Sequence, residues 1–255
     1  MPTPTAPRPV SRRVTLVLVL GLAVLARAGG VLVRHRSTMV GRDAGPTRTL
    51  VTFGDSLTDG GGVVPPWPDV LSRRLLAERP QIQVVNAGIS GNRLLRGGMG
   101  PSGLDRFEHD VLARPGVRWV TVLEGTNDLG FAGSVEPGTR PPTAEELIGA
   151  YRRLVERAHA AGVKVQGGTL PPFEGTTTAG YFTPEKETVR VAVNEWIRSS
   201  GTFDAVIDFD RALRDPDHPA RLRPAYDGGD HLHPNVAGHR AMAEAVDPGL
   251  FADPG

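Results

Sequence analysis

The sequence "VTFGDSLTDG" at residues 51–60 begins like a buried strand and then changes abruptly to Gly-Asp-Ser. Similar apolar, β-rich runs follow along the chain and alternate with segments of helical period. We predict strands at residues 49–53, 82–87, 117–125, 163–170 and 205–209. Alternation of strands and helices is typical of βαβ units. The sequence therefore predicts an α/β fold, with one doubly wound domain built on a five-stranded parallel sheet.

The predicted helices are marked by capping and stop signals. The clearest covers residues 143–162, where Thr143 and Glu146 have the spacing of a capping box and Gly162 ends the segment. We also predict helices at residues 68–78, 183–199 and 235–246. Because helical segments alternate with the strands and one more follows the last strand, they are expected to cover the two faces of the sheet.

Composition and charge exclude several classes of protein. The 255 residues are 39% hydrophobic and 22% charged, which is typical of a soluble globular protein with a substantial core. The formal net charge of +1 gives no argument for binding nucleic acid. The chain contains no cysteine, which excludes a disulfide framework, a thiolate metal site and a cysteine nucleophile.

The first 46 residues differ from the rest of the chain. Several arginines precede an apolar run at residues 14–26, which is too short to span a membrane, and "ARA" at residues 26–28 has the pattern of a signal-peptidase site. This predicts a signal peptide at residues 1–28, a linker at 29–46 and a catalytic domain at 47–255. The chain is therefore expected to be secreted or held at the cell surface.

The export route has two readings. "SRRVTL" at residues 11–16 resembles a twin-arginine export signal, with Thr15 where a bulkier apolar residue is common. The alternative is an uncleaved membrane anchor that continues to Val33, which Arg27 makes less favourable.

Unusual polar residues follow the ends of the predicted strands. Ser56 comes after the first strand, "GISGNR" after the second, and "GTNDLG" after the third. "DGGDHLHP" at residues 227–234 precedes the last helix. Ligands in open α/β sheets bind beyond the carboxyl ends of the strands, so these segments are expected to be neighbours in space.

A serine hydroxyl becomes an effective nucleophile when a base removes its proton and a third group orients that base. His233 and Asp230 are three residues apart at a junction between loop and helix, and are predicted to form a dyad that reaches Ser56. The simpler alternatives are that Ser56 is a turn residue, that Asp230 caps a helix and that His233 packs in the interior. A metal cluster of Asp227, Asp230, His231 and His233 is a further alternative, although its spacing matches no known metal motif.

Acyl transfer also requires donors for the oxyanion of a tetrahedral intermediate. Asn127 offers a side-chain amide, and Gly91 offers a backbone N–H in a loop. The backbone N–H of Ser56 is a third candidate. A plain turn role for Asn127 is the alternative.

Four segments together resemble a known family. "FGDSLTDG", "NAGISGNRLL", "GTNDLG" and "GDHLHPNVAGH" are similar, in this order, to the four signature blocks of the SGNH hydrolases, also called GDSL esterases and lipases. The resemblance covers residues 49–246. Within the family, the last block and residues 193–216 are most similar to the bacterial arylesterase and acylhydrolase members.

The resemblance implies a flavodoxin-like three-layer α/β/α fold and a set of catalytic roles. Ser56 is implied as the nucleophile, His233 as the base and Asp230 as its orienting partner. Ser56, Gly91 and Asn127 are implied as oxyanion donors. No metal and no cofactor are implied.

The expected activity is hydrolysis of short-chain carboxylic esters, acetyl or aryl, with a small molecule or a carbohydrate as the substrate. An acyltransferase that modifies sugar hydroxyls and a non-catalytic carbohydrate-binding or cell-surface module are the alternatives. We hypothesise that Arg93 or Arg96 near the site mouth favours an anionic or carbohydrate substrate. Loop aromatics that are candidates for the pocket wall are Trp67, Phe131 and Phe173.

Overall fold

A five-stranded parallel sheet forms the centre of the protein. The computed structural model describes residues 48–252. The strands are β1 (Arg48–Gly54), β2 (Ile82–Gly88), β3 (Val117–Leu123), β4 (Lys164–Gly168) and β5 (Ala205–Ile207). Their order in the sheet is β2-β1-β3-β4-β5, and every neighbouring pair is parallel. The predicted α/β fold with a five-stranded parallel sheet is confirmed.

The described part of the chain contains eight α-helices, of which six lie between strands and two follow the last strand. They are α1 (Ser56–Asp59), α2 (Trp67–Glu78), α3 (Gly103–Phe107), α4 (Thr126–Phe131), α5 (Ala144–Ala160), α6 (Pro184–Ser199), α7 (Phe209–Leu213) and α8 (Val236–Glu244). A single π-helical turn, Glu108–Leu112, continues α3. The capping box at the start of α5 is present, with Thr143 and Glu146 each bonded to the other's backbone N–H.

The burial of each strand matches its place in the sheet. In β1 every residue after Arg48 is buried, as expected for a central strand covered on both faces. The edge strand β2 mixes buried residues with partly buried and exposed ones, and the other edge strand, β5, has only three residues. Aromatic rings fill the layers between sheet and helices, including Phe53 against Phe107 and Trp67 against Phe209. The interior is thus a single apolar core that holds the strand ends at fixed positions.

The fourth predicted strand, expected to reach residue 170, ends at Gly168, and the third and the fifth also end earlier than expected. The third ends at Leu123 because Gly125, at a φ of 126°, turns the chain into α4. The fifth ends at Ile207 because Asp208 caps α7, with its side chain accepting from the Arg211 N–H. Both differences place a short helix where the sequence predicted further strand or loop.

The sheet order brings three segments together. The strand order reverses at β1, which lies between β2 and β3. In doubly wound sheets the crevice at such a switch point, beyond the carboxyl ends of the strands, is the usual ligand site. The segments that directly follow β1, β2 and β3 carry Ser56 at the start of α1, Gly91 in a loop and Asn127 in α4, respectively.

The predicted signal peptide at residues 1–28 and the linker at 29–46 lie outside the described residues. Between residues 48 and 252, no helix combines the length and the apolar character needed to cross a membrane.

Candidate active site

Ser56 stands at the first position of α1, directly after β1. The preceding residue, Asp55, caps the helix, and its carboxylate accepts a hydrogen bond from the Leu57 N–H at 2.9 Å. Asp55 is almost completely buried. Burial raises the pKa of its carboxyl to about 7, although the Leu57 hydrogen bond acts in the opposite direction. The cap therefore fixes the turn that presents the serine hydroxyl.

Ser56, His233 and Asp230 form a continuous chain of hydrogen bonds. The Ser56 Oγ lies 2.8 Å from His233 Nε2, although 177 positions separate the two residues in sequence. On the other side of the ring, His233 Nδ1 lies 2.6 Å from Asp230 Oδ2. This geometry allows the serine proton to pass to Nε2 while Nδ1–H donates to the carboxylate.

The Asp230 carboxylate is oriented by its own loop. Its Oδ1 accepts from the backbone N–H groups of Leu232 at 3.0 Å and His233 at 2.8 Å. Burial alone would raise the pKa of this carboxyl, but the hydrogen bonds from the His233 ring and from these N–H groups lower it below its ordinary value. Asp230 is therefore ionised at neutral pH and can stabilise a protonated imidazole.

Two predicted oxyanion donors lie at the same pocket as Ser56. Asn127 and Gly91 both line it. The Gly91 N–H makes no hydrogen bond to another residue in the range 48–252. The Asn127 Nδ2 donates to the Asn92 carbonyl oxygen at 2.9 Å and lies 3.4 Å from Asp55 Oδ2. The fold thus collects all five predicted site residues at one place.

A buried arginine lies beneath this site. The Arg106 guanidinium donates to the carbonyl oxygens of Gly54 and Ala87, each at 2.8 Å, and its Nε donates to Asn92 Oδ1 at 2.8 Å. It also bonds Glu124 Oε2 at 3.2 Å. Burial raises the pKa of the Glu124 carboxyl well above its ordinary value. Arg106 therefore ties together the ends of β1, β2 and β3.

Asp128 fixes the loop that carries Gly91. Its two carboxylate oxygens accept from the Leu94 N–H at 2.6 Å and the Leu95 N–H at 2.9 Å. Burial raises the pKa of Asp128 to about 6, against the effect of these two hydrogen bonds. The loop after β2 is thereby held against α4.

The pocket at Ser56 has a volume of about 340 Å³ and a largely apolar wall. None of the residues that line it is an aspartate, glutamate, lysine or arginine. Phe131 lines the pocket, as expected, but Trp67 and Phe173 do not, because both rings are fully buried in the core. The pocket wall consists of Ser56, Gly61, Ser90, Gly91, Met99, Asn127, Phe131, Val135, Thr178, Tyr181, Leu232 and His233.

The hypothesis that Arg93 or Arg96 lines the site mouth is not supported. Both arginines line a neighbouring pocket of about 330 Å³ that does not include Ser56. Arg93 is buried and forms an ion pair with Glu136 at 2.6 Å. The residues between 127 and 136 separate the two pockets, since Val135 faces the first and Glu136 the second.

The acidic and histidine residues at 227–233 form two separate pairs. His231 Nδ1 bonds Asp227 Oδ2, whereas His233 bonds Asp230. Among residues 48–252, no group of three or more His, Cys, Asp or Glu side chains is arranged to hold a metal ion.

Several residues of the site carry no signal in the sequence. Asp128 is the exception, since it adjoins Asn127 in a signature block, where an acidic residue can be expected to fix a loop. Arg106, Tyr181 and Lys186 belong to no signature block, and their contacts with the site depend on packing between distant segments.

The chain matches the model of the GDSL-like Lipase/Acylhydrolase family over residues 52–241. Among curated protein sequences, none matches the chain significantly. Solved structures of similar fold exist at low sequence identity. A catalytic variant of an acetylxylan esterase from Geobacillus stearothermophilus is 24% identical, with a TM-score of 0.62 over 82% of this chain and 96% of that one.

A second similar structure is a GDSL-like lipase from Bacteroides thetaiotaomicron, which is 17% identical with a TM-score of 0.58. The match covers 80% of this chain and 88% of that chain. These structural similarities show a shared fold, and the family model covers well over half of the sequence. The chain therefore belongs to the GDSL-like lipase/acylhydrolase family and is a carboxylic ester hydrolase.

Proposed function

We propose that this protein is an exported serine esterase that cleaves short-chain carboxylic esters through an acyl-enzyme on Ser56. The observation that carries the proposal is the hydrogen-bonded chain from Ser56 Oγ through His233 to Asp230 Oδ2, with distances of 2.8 Å and 2.6 Å. A nucleophile, a base and an orienting carboxylate in this geometry are what acyl transfer requires.

In the first half-reaction, His233 Nε2 takes the proton of Ser56 as Oγ attacks the ester carbonyl carbon. The carbonyl oxygen becomes an oxyanion, which accepts hydrogen bonds from the Gly91 N–H, the Ser56 N–H and Asn127 Nδ2. His233 then gives its proton to the departing alcohol oxygen as the carbon–oxygen bond breaks. The acyl group remains on Ser56.

In the second half-reaction, His233 removes a proton from water, which attacks the acyl carbon. The second tetrahedral intermediate collapses, the proton returns to Ser56 Oγ, and the carboxylic acid leaves. Asp230 stays ionised throughout and stabilises the imidazolium in both halves.

The wall of the pocket supports a small, neutral acyl or aryl group. Met99, Phe131, Val135 and Leu232 present apolar surface, and the volume of about 340 Å³ is at the small end of ligand sites. A charged acyl group would lose hydration there without gaining a partner. Acetyl and aryl esters are therefore the proposed substrates, including acetyl groups on carbohydrate, because a similar structure is an acetylxylan esterase.

The test compares the purified protein with Ser56→Ala on a chromogenic acetyl ester. We expect Ser56→Ala to lose at least about a thousandfold in kcat. Ser90→Ala is the matched control, because Ser90 lines the same pocket but its Oγ donates to Asp59 Oδ2 at 2.6 Å. Ser90→Ala should stay within a few-fold of the wild type. Equal rates for the wild type and Ser56→Ala would overturn the proposal.

Product analysis separates hydrolysis from acyl transfer. Incubation of acetyl ester with an added sugar or simple alcohol should yield mainly free acetate. Acetylated acceptor as the main product would favour the acyltransferase alternative. Rapid quenching followed by peptide mass analysis should find one acetyl group on the peptide that contains Ser56.

Export rests on the sequence of the first 28 residues. N-terminal analysis of protein recovered from the medium of an expressing bacterium should find Gly29 as the first residue. Recovery of the intact N-terminus in the membrane fraction would favour an uncleaved anchor. Replacing both Arg12 and Arg13 with lysine should block secretion if the twin-arginine route is used.

A further inference from the structure

The side-chain amide of Asn127 is held at both ends. Its Nδ2 donates to the Asn92 carbonyl oxygen at 2.9 Å, and its Oδ1 accepts from the Tyr181 hydroxyl at 2.8 Å. A carbonyl oxygen only accepts, so the end of the amide that faces Asn92 must be the NH₂ group. The second N–H of Nδ2 has only a contact of 3.4 Å with Asp55 Oδ2, at the limit of a hydrogen bond.

The Tyr181 hydroxyl is suited to be a permanent donor. The residue is almost completely buried, and burial raises the pKa of its phenol well above the ordinary value. The hydroxyl therefore keeps its proton at any pH at which the protein is assayed. Its single proton points to Asn127 Oδ1, the one side-chain acceptor that it contacts among residues 48–252.

Packing holds the Tyr181 ring against α4. A Cβ added to Gly130 would stand 2.0–2.3 Å from three atoms of the ring, so the ring fills the space that any other residue at 130 would need. Phe173 and Phe131 meet the ring edge-on, with centroids 5.6 Å and 6.0 Å away. The position of the hydroxyl is thus fixed by close contacts on several sides.

A buried lysine fastens the segment that carries Tyr181. Lys186 Nζ donates to the carbonyl oxygens of Gly180 at 2.7 Å, Gly130 at 3.0 Å and Tyr181 at 3.1 Å. The three N–H groups of one ammonium are therefore matched by three carbonyl oxygens. Gly130 belongs to the same helix as Asn127, so the lysine links the tyrosine segment directly to the helix that carries the predicted oxyanion donor.

We propose that Tyr181 is a positioning residue of the oxyanion hole, whose hydroxyl holds the Asn127 amide with Nδ2 directed at the substrate oxygen. The inference rests on the proposed esterase function, in which Asn127 stabilises the oxyanion. Without the hydroxyl, the amide is held only through Nδ2, and it can rotate to place that donor elsewhere. Tyr181 acts through Asn127 and takes no part in proton transfer.

The first test is the kinetics of Tyr181→Phe, which removes the hydroxyl and keeps the ring. We expect kcat to fall about 10- to 100-fold with KM changed less than twofold, because a misplaced donor affects the transition state more than substrate binding. The control is Tyr151→Phe. Tyr151 is equally buried, and its hydroxyl donates to the Glu124 carbonyl oxygen at 2.6 Å and makes no hydrogen bond to Asn127. An equal loss of kcat in both variants would overturn the proposal.

A double-mutant cycle tests whether Tyr181 acts through Asn127. In the Asn127→Ala background, adding Tyr181→Phe should change kcat by less than twofold, because the group that it positions is gone. Adding Tyr151→Phe to the same background should reduce kcat by the same factor as in the wild type. If the Tyr181→Phe loss is fully retained in the Asn127→Ala background, the positioning role is wrong.

The Asn127 amide can also be observed without catalysis. In heteronuclear NMR spectra, the side-chain NH₂ signals that vanish in Asn127→Ala should shift and exchange faster with solvent in Tyr181→Phe, and remain unchanged in Tyr151→Phe. Unchanged signals in Tyr181→Phe would overturn the inference. If the wild type and Ser56→Ala are equally inactive, the proposed function fails, and the amide signals alone then decide the role of Tyr181.

Discussion

Gly61 lies against the imidazole ring of His233, so close that a Cβ at position 61 would stand 3.0 Å from the ring Cδ2. The glycine belongs to the loop after α1, and the histidine lies in the loop before α8. The contact limits how far the ring can rotate away from Ser56 Oγ. The loop that follows the serine therefore helps to place the histidine whose Nε2 lies 2.8 Å from the serine Oγ.

Gly61→Ala should reduce kcat about 10- to 100-fold, because the added methyl group displaces the His233 ring from Ser56. Gly62→Ala is the control: both glycines have a positive φ, 56° and 91°, but a Cβ at position 62 meets nothing within 4 Å. The Gly62→Ala variant therefore introduces the strain of a side chain at positive φ but no contact with the His233 ring. Steady-state kinetics on an acetyl ester measure kcat for both variants. An equal loss of kcat in Gly61→Ala and Gly62→Ala would assign the effect to backbone strain alone.

Arg106→Leu should lower the free energy of unfolding by about 3–5 kcal/mol, because it leaves Glu124 and three buried oxygens without their donor. Urea denaturation measures the change. Arg157→Leu is the control, since that side chain is 35% exposed and should cost about 1 kcal/mol or less. Adding Glu124→Leu should restore part of the stability, and a further loss in the double variant would contradict the pairing argument.

His239→Gln tests a source of acid sensitivity. The ring is buried, its Nδ1 accepts from the Trp67 N–H at 3.3 Å, and burial lowers its pKa to about 4. Because the unfolded state binds a proton near pH 6.5 and the folded state does not, His239 favours folding above pH 6.5. This contribution of about 3 kcal/mol is lost as pH falls from 6.5 to 4.

The measurement is the unfolding temperature of His239→Gln and of the wild type between pH 4 and pH 8. The variant should be less stable at pH 8 but lose less stability on acidification than the wild type. If the unfolding temperatures of the variant and the wild type fall in parallel with pH, His239 is not a source of the acid sensitivity. His218→Gln is the control, because His218 is exposed and its side chain makes no hydrogen bond or ion pair within residues 48–252, so its replacement should leave the curve unchanged.

Met99→Ala should widen the range of accepted acyl groups. The Met99 side chain packs over Gly91, where a Cβ would stand 2.1 Å from Sδ, and it is 56% exposed at the pocket rim. Its truncation opens space beside Gly91, one of the predicted oxyanion donors. The ratio of kcat/KM for an octanoyl ester to that for an acetyl ester should rise about tenfold. Val64→Ala, which truncates an exposed side chain outside the pocket wall, should leave the ratio unchanged.

The sequence was most informative where the pattern is long or dense. Apolar runs located all five strands, and the period and capping box located α5 almost to the residue. The signature blocks indicated Ser56, Asp230 and His233, which the fold brings into one hydrogen-bonded chain. Local pattern and global fold agree at these positions, as minimal frustration predicts.

The short helices could not be predicted in this way. α1, α4 and α7 have four to six residues, too few to show a helical period, and their bounds depend on caps such as Asp208. The roles of Arg106, Tyr181 and Lys186 were also hidden, because each acts through contacts with segments remote in sequence. Arg93 and Arg96 line a pocket next to the one at Ser56, because nearness in sequence to Gly91 does not place them in the same pocket.

The segment between α4 and α5 is a suitable place for enzyme engineering. Residues 132–142 supply Val135 to the wall of one pocket and Glu136 to the other. They contain neither a member of the hydrogen-bonded chain at Ser56 nor a residue that holds Asn127 in place. Exchange of this connection for shorter or longer versions from relatives should therefore change which esters are accepted while the reacting groups stay where they are.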